Sequence, residues 1–307
     1  SNSWSSPLGK TRKIIYIYSR TFRTYKVWGT LYTSYYFIVK TLKMKTLFYV
    51  FIFAPFMLTA CKGKKNVSVP TTEEMNLKRG DVISCGPSQK EFGKVRFATT
   101  CTPETQGDFD LAVSMLHSFE YDEAEKVFAK VIEEAPACAM AYWGVAMSNY
   151  HPLWAPPTQE ELAKGNKAIT IAQSLAGGSK TENGYIKALA AFYKDYPTVD
   201  HKTRSGNYKN EMEKLYLTDT SDKELAIFYS LALIATADPT DKTFANRKKA
   251  GEILGALYPE GKNHPGIIHY IIHTYDVPEL AALGLDAAKR YAAVAPSSAH
   301  AQHMPSH

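Results

Sequence analysis

The first 43 residues contain no aspartate, no glutamate and no methionine, yet they carry eight lysines and arginines. That imbalance decides how the overall charge is read. The whole chain has 36 Lys+Arg against 30 Asp+Glu, a net +6, which taken alone suggests a nucleic-acid partner. Without the basic residues of 1–45, 27 remain against 30 acids and the balance is −3. No nucleic-acid partner is expected. The apolar run "LFYVFIFAPFM" (47–57) is too short to span a bilayer. No G-x-S-x-G, P-loop or dinucleotide fingerprint occurs, so serine-hydrolase, phosphate-cradling and Rossmann chemistries lose their usual markers. After Cys101 no strand pattern stands out. The class left is all-α.

The chain ends carry the targeting information. Met44 and Lys45 precede the apolar run, and "LTAC" (58–61) follows it. A short positive region, an apolar core and a small-residue site have the order of an export signal. Leu58-Thr59-Ala60-Cys61 resembles the lipobox of bacterial lipoproteins. The resemblance implies a lipidated Cys61 at the mature N-terminus, with Lys62 after it fitting the outer membrane. Residues 1–43 then read as a misassigned leader and 44–60 as a signal peptide. The alternative is a genuine N-terminal extension with 47–60 in a membrane anchor. Residues 61–80, polar and poor in apolar side chains, read as a flexible tether.

Export puts the cysteines in an oxidising compartment. Cys85 and Cys101 bracket fifteen residues of a turn and a strand-like run in the segment 81–104. A disulfide between them is worth on the order of 3 kcal/mol by loop entropy. Two free thiols are the other reading. Cys138 reads as a small buried apolar residue.

From residue 105 to 307 the pattern is helical. "YDEAEKVFAKVIEEAP" sets Ala124, Val127, Phe128, Val131, Ile132 and Ala135 on one stripe. "FDLAVSMLHSF" before it supplies a partner through Leu111, Ala112 and Met115, making an αα-hairpin. Leu111-Ala112-x2-Met115, Ala124-x3-Phe128 and Pro136 resemble the tetratricopeptide repeat, whose period is about 34 residues. Asp108 and Met115 depart from it, standing where tryptophan and tyrosine are usual. Thr158-x-x-Glu161 has the form of a capping box opening a helix to Leu175, and four further helical segments follow, "TENGYIKALAAFYKDY", "SDKELAIFYSLALIATA", "FANRKKAGEILGALY" and "PELAALGLDAAKRYAAVAP". The reading is a helix-hairpin solenoid, and the resemblance implies a binding scaffold that offers a concave groove of A helices to a protein or peptide.

Six of nine histidines lie between His264 and His307. His269 and His303 are 34 residues apart, as are His273 and His307, so each pair takes matching positions on consecutive A helices. Two such pairs, with His300 and Asp276 beside them, suit zinc or another divalent metal. Partner contact and simple packing are the competing readings. "HYIIH" (269–273) has the histidine spacing of zincin proteases but no glutamate between, so a metal-dependent hydrolase, the alternative to a plain metal-binding protein, would need Asp276 or Glu279 as its base. Pro305 is expected to kink the last helix between His303 and His307 and so to misdirect His307. His151 and Trp154 in "HPLW" read as a structural plug.

Overall fold

The computed structural model describes residues 70–86, 90–153, 155–175 and 177–307. The leader, the signal segment, Cys61 and Trp154 lie outside them. Eleven α-helices and no strand occur among the described residues. They are α1 Gln106–His117, α2 Tyr121–Glu134, α3 Ala139–Ser148, α4 Gln159–Leu175, α5 Lys180–Tyr193, α6 His201–Tyr216, α7 Lys223–Ala235, α8 Ala245–Leu257, α9 Pro265–Tyr275, α10 Leu285–Val294 and α11 Ala299–His303. No helix among the described residues is long and apolar enough to cross a membrane.

Side-chain caps start several of these helices. Thr158 and Glu161 form the expected box before α4, and Ser179 with Glu182 forms a second before α5. Asp200 and Asp222 cap α6 and α7, and His264 caps α9 with Pro265 at its first position. Each satisfies an N–H that the first helical turn leaves unbonded. Consecutive helices pack as antiparallel hairpins. The stripe of α2 is buried as its spacing predicts, and Ala112 and Ala124 are fully inaccessible. Phe128 lies so close to Gly144 of α3 that a methyl there would meet its ring at 2.3 Å. The molecule is an all-α helix-hairpin solenoid.

The odd-numbered helices form its inner layer, and that layer closes. α9 packs on α7 and also on α1. Residues 85–86 and 90–102 lie along the N-terminal ends of the inner helices as a strap. Cys85 N–H donates to Ser297 O, Lys94 N–H to Asn263 O, Phe97 N–H to Asp110 and Thr100 N–H to Glu182. Phe97 enters the middle of the layer, with ring centroids 5.1–6.2 Å from Phe109, Trp143, Tyr185 and Phe228 on four different helices. The inner face is therefore filled at that end by the chain itself.

Two expectations need correction. The disulfide joins Cys101 to Cys138 (Cα–Cα 5.1 Å), while Cys85 is exposed and free. Cys85 lies against Ser297, just before α11, and Cys101 lies against the start of α3, so the two cysteines sit at different inner helices. The tether expected to run to residue 80 is docked from Thr71 onward. Thr72, Met75 and Leu77 are buried, and Lys78 N–H donates to Glu125. Three small or apolar side chains in that polar text are enough to seat it on α2 and α4.

Candidate metal centre

α9 begins at Pro265 and α11 at Ala299, the 34-residue step of the sequence pattern. Facing side chains, however, are 31 residues apart. His269 Nε2 lies 3.0 Å from His300 Nε2, and Asp276 lies 2.9 Å from His307 Nδ1. Neighbouring inner helices are thus staggered by about one turn. That stagger puts His300, rather than the repeat-equivalent His303, against His269. Helical position and facing position are different quantities, and the spacing alone reported only the first.

Three imidazoles converge. His273 Nε2 is 2.9 Å from His269 Nε2, completing His269–His273–His300, whose ligand atoms all lie within 4.8 Å of one another. His269 is fully buried and His273 is 5% exposed. The tautomer of His269 follows from its partner. Its Nδ1 sits 2.6 Å from the His117 carbonyl oxygen, which only accepts, so Nδ1 carries the proton and Nε2 presents a bare lone pair. A backbone carbonyl behind the distal nitrogen is the usual way of aiming a metal-binding imidazole. Ligands at about 2.0–2.1 Å around a tetrahedral zinc stand about 3.3 Å apart, a few tenths of an ångström beyond the separations seen. Burial, then the neighbouring His273 and His300, holds His269 far below the ordinary imidazole range. Burial and His300 pull His273 to about 3, and burial and His303 pull His300 to about 4. All three are neutral at pH 7, the form that binds metal.

The surroundings hold this geometry. Phe119 stacks on His273 at 5.6 Å and 16°, and Tyr291 stacks on His269 at 4.9 Å and 21°. Arg247 donates to the carbonyls of His273 and Thr274 at the end of α9. Glu120 accepts from Ser298 Oγ and His300 N–H at the start of α11. Phe119 (φ 57°) and His151 (φ 47°) take the left-handed conformation, an uncommon strain for bulky residues and one that collects at functional sites. His273, Phe119, Tyr121 and His151 form one stack of four rings.

His303 and His307 form an outer pair, Nε2 to Nε2 3.1 Å, with Asp276 behind His307. Both histidines are exposed, and α11 ends at His303 and passes into a 3₁₀ turn at Met304–Ser306, where only a kink was expected. A cavity of about 250 Å³ lined by Ile272, Tyr275, Leu285 and Pro305 opens beside Asp276 and His307.

A second buried group, His117–Glu224–His264, has the composition of a metal site but not its chemistry. His264 Nδ1 accepts from Ile267 N–H, so its Nε2 carries the proton donated to Glu224 at 2.8 Å. His117 Nδ1 lies 3.0 Å from the Tyr270 hydroxyl and its Nε2 3.1 Å from Glu224. Every imidazole nitrogen has a partner, so neither ring presents a bare lone pair of the kind His269 does, and only the Glu224 oxygens have lone pairs to spare. Burial would raise Glu224, but His264 and His117 outweigh it and hold the carboxyl at about 2.

All six residues nominated from sequence meet in this region, three as the core and three as the outer group. His117, Phe119, Glu120, Tyr291 and Arg247 carried no sequence signal, because each acts from a distant element. Comparison of the chain with family models, curated proteins and solved structures gives no match.

Proposed function

We propose that the protein binds a divalent transition metal, zinc being the best fit to three nitrogen ligands, through His269, His273 and His300. The observation that carries this reading is the bare Nε2 of His269 aimed at two further Nε2 atoms in a dry setting. Three protein nitrogens leave a fourth position open, the donor count of sites that act on a bound water or ligand. A peptide lying along the inner face would have to displace Phe97 and the strap, so the scaffold reading has less support. Metal analysis of purified protein is expected to give about one equivalent per chain. H269A should lose it, while H303A retains most of it. Wild-type protein free of metal after equilibration with zinc, cobalt and nickel would overturn the reading.

The same protein is proposed to work outside the cytoplasm, tethered to a bacterial envelope through lipid on Cys61. The lipobox resemblance supports this, and the Cys101–Cys138 disulfide agrees with an oxidising compartment. C61A should accumulate as unprocessed, unlipidated precursor. Normal processing of that variant would remove the claim.

A further inference from the structure

On α6, Arg204 is 3% exposed, and its Nε and Nη1 make no hydrogen bond. A buried guanidinium with unmet donors is rare, since burying a charge costs several kcal/mol unless it is paired. Around it His201 Nδ1 is also unmet, and the buried Tyr150 hydroxyl has no regular hydrogen bond, only the Ser205 hydroxyl beside it. All three side chains share one neighbour, the ring of Phe192. Arg204 lies over its face at 4.5 Å, and Tyr150 and His201 meet it edge-on at 4.5 and 5.6 Å.

The carboxylates of this region are engaged elsewhere. Asp200 is tied to Thr203 N–H and Oγ1 as the cap of α6. Glu161 is held by Thr158 and His151. Glu125 binds Lys164, Asn149 and Lys78 N–H. Among the described residues the guanidinium makes no direct ion pair; Asp200, four positions earlier in the chain, acts on it only from a distance while bonded to Thr203. The planar fork of Arg204 matches the two oxygens of a carboxylate or phosphate, a tyrosine hydroxyl donates to the same oxygens, and His201 and His151 are only part-buried, giving solvent a way in.

We propose that Arg204, Tyr150 and His201 form a binding site for the oxyanion of a small molecule, a carboxylate or a phosphate. Phe192 provides the floor, Arg204 the charge, and Tyr150 with His201 the remaining hydrogen bonds. The four-ring stack from His273 to His151 runs from the histidine centre to this side of the molecule. The site stands without any metal and is tested without one.

Full-length, metal-free protein is titrated calorimetrically with sodium phosphate and with sodium succinate, against sodium chloride at equal ionic strength. Saturable binding of one anion per chain by either salt is expected, and the salt that binds identifies the class. R204K should weaken it about tenfold or more, because an ammonium cannot reproduce the fork. Y150F, which removes one oxygen from a well-packed ring, should weaken it severalfold and keeps the test valid if R204K fails to fold. Absence of binding by wild-type protein to either anion at tens of millimolar, or equal binding by wild type and both variants, overturns the proposal.

Discussion

Each buried imidazole of the His269 cluster is shaped by what stands behind it. His269 is fixed by one carbonyl, and the sequence gives no hint that this carbonyl belongs to His117, 152 positions away. The i,i+4 spacing of His269 and His273 was readable because one helix carries both. His300 was readable only as a neighbour, since its pairing depends on helix stagger. The depressed pKa values have a consequence for metal-free protein. His273 at about 3 and His300 at about 4 lie below the ordinary 6.5. Between those limits the unfolded chain binds protons that the folded one refuses, so stability is complete above about pH 6.5 and is lost as pH falls toward 3–4. Urea unfolding of metal-free protein should therefore show a lower midpoint at pH 5 than at pH 7.5. A midpoint that does not move would mean that these rings are not held neutral.

Among the elements, the helices legible from sequence are those with a wide apolar stripe. α2 and α5 follow that rule, and α7 is apolar on nearly every side. α6 escaped it because "HKTRSGNYKNEMEKLY" is mostly polar; only Tyr208, Met212 and Leu215 mark its buried face among apolar residues. The helix with the weakest pattern thus carries Arg204. The segment expected after Pro278 is shorter than its text suggests, with a 3₁₀ turn at Ala281–Gly284 preceding α10. α11, five residues long, cannot hold itself together as a helix. It depends on Glu120, which grips Ser298 and the His300 amide. E120A should loosen His300 and weaken metal binding about tenfold, the scale of lost outer-shell support. Competition titration with a chromogenic chelator reads this directly, and unchanged affinity would show that α11 is positioned by other contacts.

At the scale of the whole molecule, the repeat pattern announced stacked hairpins but not their closure. Nothing in a 34-residue period says that α1 touches α9, or that an N-terminal strap crosses the inner helices. The cysteine pairing failed for the same reason: partners 37 apart in sequence meet only once the strap is laid down. Thiol labelling of folded, oxidised protein should mark Cys85 and spare Cys101 and Cys138 until reductant is added. Reduction should lower stability by about 4 kcal/mol, the loop-entropy value for a ring of that size. Labelling of Cys101 before reduction would contradict the pairing.

An open stack of hairpins can fray from either end, because each repeat leans only on its neighbours. Here Glu91 and Ser297 bond to each other across 206 residues, and α1 and α9 share a face, so the two extremities of the stack are themselves neighbours. Among the described residues, helices so joined do not unzip independently of one another. The assembly is expected to melt in one cooperative step, and removal of any one hairpin leaves a broken ring instead of a shorter, working solenoid.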